Sequence, residues 1–471
     1  MTRALALACP ERTATLAGED AFAAGGNALD AALTAATTLA VTYPHMCGAG
    51  GDLFAVVRLP DGRVRSVNAS GPAARAADAH EQRRRGPVMP LDGPDPITVP
   101  GAVAGWAHLH ALGARRAWAE TLAPAVALAR DGFPITTSLA DALAEARLDG
   151  LPSPPAGAPL RQPALARTLA AIAEHGAREL YEGDTGERLA AGLQRAGSRI
   201  DAADLAGFAP EETAPLTAPF RGLTLHTSPP NSSGVLLLQA LTELGDDDDP
   251  GTLATLLRKG MERRAALLAD PRAVPFDPGS WLRDAAPGAT GTPPSGDTVA
   301  IVAADDDGLA VSLIQSLFDS FGSRVREPET GIVLHNRGAW FSLAPGHPNE
   351  LAGGKRPAHT LLPVVAERDG ELAGVLGTMG GFAHAQFLAQ VLLRILAGDG
   401  PQAAVAAPRW VVDGGTVAAE PGIEHAPFED AGLRVAGLPP HTDDVGHVQA
   451  VWRTGDRLAA GTDPRADGAP A

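Results

Sequence analysis

Hydrophobic positions follow two rhythms along this chain. Alanine-rich runs that are apolar nearly all round alternate with short apolar strands set between glycine and proline punctuation. The run 28–41 is of the first kind. Asn27 supplies an N-cap, Asp30 an acidic first turn and Pro44 an end, so the pattern predicts a buried helix. Cys47-Gly48-Ala49-Gly50-Gly51-Asp52 then turns into a strand, 53–58, which Pro60-Asp61-Gly62 reverses. That glycine loop precedes a strand, whereas a phosphate cradle opens a helix, so no phosphate site is read there. Residues 74–95 are charged and broken by prolines and are expected as an exposed loop. Helices are expected over 118–130, 185–196, 235–244 and about 386–396, and strands over 221–227 and 372–376. The acidic stretch 246–250 reads as a solvated turn, and 285–296, rich in Pro, Gly, Thr and Ser, as a connector.

Past that connector comes the clearest hairpin. Apolar strands 299–304 and 309–317 flank Asp305-Asp306-Asp307-Gly308. Gly308 supplies the positive φ that a three-residue loop requires at its last position. With the loop at 306–308, counting back sets Thr298 opposite Ser316. A two-residue loop would shift the register by one and turn the serine away. A threonine hydroxyl is a weak nucleophile until a base accepts its proton, and the free α-amine of an N-terminal threonine is such a base. Thr298 would own that amine if the Asp297–Thr298 bond were cut, and Ser316 would then orient its hydroxyl. Gly377-Thr378-Met379-Gly380-Gly381, between a strand and a helix, offers two successive glycine amides to a developing oxyanion. The same residues also suit an ordinary strand start and an ordinary Gly-Gly turn.

Composition narrows the function class. The chain has 471 residues, 45% hydrophobic, enough for one large layered domain or up to three average ones. A formal net charge of −17 argues against nucleic acid and against an anionic membrane surface. Cys9 and Cys47 are too few for a disulfide framework. The apolar run after Arg3 is too short for a signal peptide, and 28–41 falls short of the roughly 20 residues of a membrane span. A cytoplasmic protein is expected.

Taken together, ordered blocks of sequence resemble the γ-glutamyltranspeptidase family of N-terminal nucleophile hydrolases. They include Gly25-Gly26-Asn27-Ala28-Leu29-Asp30-Ala31-Ala32, Pro44-His45-Met46-Cys47-Gly48-Ala49-Gly50-Gly51-Asp52 and Val99-Pro100-Gly101-Ala102-Val103-Ala104-Gly105-Trp106. Pro229-Pro230-Asn231-Ser232-Ser233-Gly234, Thr330-Gly331-Ile332-Val333-Leu334, Lys355-Arg356-Pro357 and Met379-Gly380-Gly381 continue the series. The resemblance implies an α/β fold, a four-layer αββα sandwich. It also implies a precursor cut between Asp297 and Thr298 into a large subunit, 1–297, and a small one, 298–471, that stay together. By position, Thr298 is the nucleophile, Ser316 its supporting hydroxyl, and Gly380 and Gly381 the oxyanion hole. No metal or organic cofactor is implied; the partners are a small-molecule amide and water or an amine acceptor, with homo-oligomerisation left open.

Departures from the transpeptidase pattern concern the substrate. The arginine that holds a γ-glutamyl α-carboxylate aligns with Asn68, the acidic anchor for the α-ammonium aligns near Trp340, and the paired serines align with His359 and Thr360. The lid segment before Lys355 is short. Each lost charged hydrogen bond removes about 1.5–3 kcal/mol. Arg337, beside Asn336, enters the pocket wall, where it can fork onto a carboxylate or serve as a surface ion pair. His359 reads as a pocket-lining or structural residue rather than an acid–base group. Arg324 takes a place where relatives carry glycine and is expected to narrow the pocket or hinder processing. The pattern looks closest to the oxamate-amidohydrolase and acylase-like branch, acting on a small carboxylated amide. A glutathione hydrolase and a catalytically silent binding protein are the competing readings.

Overall fold

The computed structural model describes residues 4–277, 281 and 297–468, so the connector expected at 285–296 lies outside the described residues. Two six-stranded antiparallel sheets lie face to face. The first runs Leu5–Ala8, Asp297–Asp305, Ala310–Phe318, Asp52–Arg58, Val64–Ala69, Glu211–Thr213. The second runs Arg457–Thr462, Val448–Thr454, Glu371–Thr378, Val364–Arg368, Leu223–Thr227, Leu216–Phe220.

Side-chain alternation along the central hairpin produces the layering. Val299, Ile301 and Ala303 turn outward into a core with the helices Ala28–Thr42 and Trp118–Asp131. Val302 and Ala304 turn inward against Val365, Val375 and Val451 of the second sheet, and Ala300 packs with Phe54, Ile314 and Leu361. The second sheet's outer face carries Gly234–Leu244, Pro250–Leu267 and His384–Leu396. Four layers result, αββα, as the resemblance implied.

The helix Ala28–Thr42 is buried along its whole length. The Asn27 side chain accepts from the amides of Leu29 and Asp30, and the Asp30 carboxylate accepts from Asn27, closing a capping box. Asp305, at the hairpin turn, accepts from the Ala28 amide at 3.0 Å and so pins the hairpin to this helix. The turn is the three-residue one: Gly308 has φ 79°, and the Asp305 amide donates to Leu309 O at 3.0 Å. The expected register holds as far as Val299 facing Gln315. It then slips at a bulge, so that Asp297 faces Phe318.

Two expectations are corrected, and one segment left unassigned gains a place. Residues 74–95 are not simply an exposed loop: they contain the helix Ala79–Arg85, with Gln82 and Met89 buried. Two of its charges also enter ion pairs, Arg83 with Glu350 and the half-exposed Arg85 with Asp95. The short apolar run near the start is an edge strand, Leu5–Ala8, paired with Asp297–Asp305. The strand expected from 221 begins at Leu223, because Arg221 (φ 48°) and Gly222 (φ 77°) form the preceding turn. No helix among the described residues is long and apolar enough to cross a membrane.

Candidate active site

Thr298 and Ser316 share the inward side of the first sheet with Ala300 and Ile314, at the end where the hairpin bulges. Thr298 is only 2% exposed. Its Oγ1 donates to Ser316 Oγ at 3.0 Å, and Ser316 Oγ donates to the carbonyl oxygen of Asp297 at 2.7 Å. Ser316 Oγ also accepts from the Phe318 amide at 2.7 Å, a bond the bulge makes available. One serine hydroxyl thus touches the threonine hydroxyl and the carbonyl of the bond preceding it. The glycine loop before Asp52 is built around this strand. A Cβ on Gly51 would stand 2.4 Å from Ser316 O, and one on Gly50 would stand 2.1 Å from Val333 O.

Asp52 faces Ser316 in register on the neighbouring strand and is fully buried. Its Oδ2 accepts from Arg337 Nε at 3.0 Å and from His359 Nε2 at 2.6 Å, and His335 Nδ1 lies 3.4 Å away. Burial alone would raise this carboxyl, but the charge of Arg337 and the hydrogen bond from His359 outweigh it and hold the group well below the usual carboxylate range. Arg337 reaches on to Ser316 Oγ through Nη2 at 3.1 Å and to Thr360 Oγ1 through Nη1 at 3.4 Å, with its guanidinium over the Phe318 ring. It is fully buried, so the surface-ion-pair reading is overturned, and its Nε and Nη2 are occupied by the chain's own groups. His359 is pushed down to about 4, first by burial and then by Arg337. Neutral, it donates through Nε2 to Asp52 and accepts the Leu361 amide on Nδ1 at 3.2 Å, a positioning role.

Gly380 and Gly381 close the strand Glu371–Thr378 and lead into His384–Leu396. Their φ values are 134° and 55°. A Cβ on Gly380 would strike the Phe387 ring at 2.4 Å. Neither amide donates to a backbone carbonyl among the described residues. Gly377 lets this strand press against Ala300, two residues from Thr298: a Cβ there would stand 3.0 Å from Ala300 Cβ.

A family model described as Gamma-glutamyltranspeptidase matches residues 14–249 and 242–471. The chain belongs to this family. It is 35% identical to a protein named oxamate amidohydrolase proenzyme from Klebsiella pneumoniae, over 95% of this chain and 94% of that one. It is 33% identical to a glutathione hydrolase-like proenzyme of Bacillus subtilis, over 98% and 97%. The solved cephalosporin acylase from Bacillus halodurans superposes with a TM-score of 0.88 at 30% identity, covering 100% of this chain and 97% of that one. The protein is therefore an enzyme of the amidohydrolase and acyltransferase type, on the acylase-like side of the γ-glutamyltranspeptidase family.

Other residues singled out in the sequence fall into supporting places. Asn68 donates to Asn231 Oδ1 at 2.9 Å and accepts from the Ser70 amide and hydroxyl, which ties up its amide group. Asn336 accepts from the Asp319 amide at 3.2 Å and donates to Leu91 O at 3.0 Å. Arg324 sits at φ 58°, in the left-handed region that favours glycine. Its side chain is 44% exposed and turns to Asp92, so it does not narrow the space beside Thr298. Asp52 and His335 went unread in the sequence; the in-register facing of Asp52 and Ser316 was the available signal.

The carboxyl of Asp297, beside Thr298, is shifted by its surroundings. Burial, then the nearby charge of Asp319, pushes its carboxyl up to about 7. A carboxyl whose folded pKa is raised keeps its proton in the folded chain while the unfolded chain has released it. The uncut protein therefore loses stability as pH rises from about 4 to about 7. In a non-cleaving Thr298→Ala background, the melting temperature is expected to fall across that window. Adding Asp297→Asn should flatten the decline, as a calorimetric pH series would show.

Proposed function

We propose that the enzyme is a self-processed amide hydrolase whose nucleophile is Thr298 and whose substrate is a small carboxylated amide. The observation that carries this reading is the Thr298 Oγ1–Ser316 Oγ–Asp297 O chain, at 3.0 and 2.7 Å. In processing, Thr298 Oγ attacks the Asp297 carbonyl carbon and the C–N bond breaks. This leaves an ester on Oγ and a free α-amine on Thr298. Water hydrolyses the ester, giving subunits 1–297 and 298–471. In turnover the same oxygen attacks the substrate carbonyl. The α-amine takes the hydroxyl proton and passes it to the leaving amine, and water, or an amine acceptor, releases the acyl group. Gly380 and Gly381 supply amide donors to the tetrahedral oxyanion. No step calls for a metal or organic cofactor.

Two features favour a small carboxylated amide over glutathione. One is the similarity to the protein named oxamate amidohydrolase proenzyme. The other is the engaged, uncharged Asn68 at the place of the transpeptidase arginine. A panel of oxamate, succinamate and a γ-glutamyl anilide tests the reading. The expected outcome is a kcat/KM for a carboxylated small amide at least about tenfold above that for the anilide, a gap of about 1.4 kcal/mol. The reverse order, with stimulation by dipeptide acceptors, would assign a γ-glutamyl transpeptidase instead.

A further inference from the structure

Buried arginines among the described residues have carboxylate partners, with one exception. Among the described residues, Arg58 pairs with Glu367, Arg263 with Glu243, Arg337 with Asp52, Arg356 with Glu211 and Arg409 with Asp463. Arg264, on the helix Pro250–Leu267, is 4% exposed and meets no carboxylate among those residues. Its Nε donates to Ser233 Oγ at 2.9 Å, its Nη2 has no partner among the described residues, and its guanidinium lies 4.2 Å from the centre of the Trp340 ring. An unpaired guanidinium out of water is unfavourable unless an anion completes it.

Arg264 is linked to the site around Thr298 through two short series of contacts. The Trp340 ring that carries it lies 5.5 Å from the Phe318 ring, and Phe318 faces Asp297 across the hairpin. Ser233, which receives Arg264, donates to the His359 carbonyl at 2.5 Å, and His359 holds Asp52. A second buried group is also unmet. His384, which opens the helix after Gly380 and Gly381, has neither ring nitrogen hydrogen-bonded among the described residues and is 1% exposed. Burial, then the charge of Arg337, pushes it down to about 3, so it stands neutral with one N–H to donate. The Arg264 guanidinium itself is lowered to about 9 by burial and by Arg337, the mark of a cation lacking its counter-charge.

We propose that Arg264, assisted by His384, is the residue that recognises the carboxylate of the amide substrate. The role first suggested for Arg337 thus passes to an arginine that is not already paired. This inference rests on the amide-hydrolase reading and adds the substrate's anionic handle to it. A two-pronged guanidinium stacked on an indole takes a carboxylate in one orientation, which sets the amide carbonyl relative to Thr298.

The test compares Arg264→Gln and Arg264→Lys with the unaltered enzyme, using oxamate against uncharged oxamide and succinamate against succinamide. The ratio of kcat/KM for the anionic over the neutral member is expected to fall about 100-fold in Arg264→Gln, chiefly through KM, the size of a lost charge-assisted pair. Arg264→Lys should recover part of that ratio. An unchanged ratio overturns the proposal while leaving the hydrolase reading standing. If Arg264→Gln does not fold, Arg264→Lys decides alone: a ratio about tenfold down supports the proposal and an unchanged one overturns it. If no amide is turned over, the hydrolase reading fails separately. Calorimetric titration with oxalate and succinate then judges Arg264. Binding that Arg264→Gln abolishes supports the anion site, and binding equal in both proteins, or absent from both, refutes it.

Discussion

Replacing Thr298 by alanine is expected to leave a single uncut chain of 48.1 kDa with no amide hydrolysis. On the proposed mechanism, the alanine methyl lacks the oxygen that would attack Asp297, so the α-amine proposed as base is never released. Both functions are lost together, and the expected fall in kcat/KM is roughly 10⁴-fold or more, as for other activated nucleophiles. Thr298→Ser keeps the oxygen and the Ser316 contact but loses the methyl group that fixes χ1. It should cleave slowly and retain partial activity. Electrophoresis and an amide hydrolysis assay on the two variants check both statements. A Thr298→Ala protein that still splits in two would remove Thr298 from the account.

The second large effect is at Asp52. Asp52→Asn keeps the shape but removes the only carboxylate that Arg337 meets among the described residues, leaving a buried, uncompensated cation. Breaking a buried pair from one side typically costs about 3–5 kcal/mol. It also frees the guanidinium that donates to Ser316 Oγ at 3.1 Å, so self-cleavage should slow along with the loss of thermal stability. The double variant Asp52→Asn, Arg337→Met removes both charges and should recover much of the stability without restoring fast cleavage. Because the folded pKa of Asp52 lies well below 3.8, the pair's contribution is fully present above about pH 4 and is lost only on further acidification. Calorimetry of the single and double variants, with a time course of cleavage, separates packing from positioning.

The hairpin was legible because a single glycine fixed its turn type and the turn fixed the register. Gly308 at positive φ placed Thr298 near Ser316 before any fold was assumed. The bulge beyond Gln315 was not legible. It arises where Leu317 leaves its partner strand to bond Met46 O at 2.9 Å, a contact about 270 residues distant in sequence. The surface reading of Arg337 failed for a related reason. An arginine among Asn, Gly and Ala looks solvent-facing until the strand Asp52–Arg58 brings a carboxylate beneath it. The charged stretch near Ala79 hid a helix because its ion partners, Glu350 and Arg199, come from distant segments. Arg264 gave no local signal, since what sets it apart is the lack of a carboxylate that only the fold can reveal. Local rules located the chemistry, and long-range pairing decided which charges were already satisfied.

N-terminal sequencing of the smaller fragment of the purified protein tests the central claim most directly. The account predicts a fragment beginning Thr298-Val299-Ala300-Ile301, in equal amount with a larger one ending at Asp297. A fragment beginning at any other residue, or a chain that stays whole while hydrolysing amides, would contradict it.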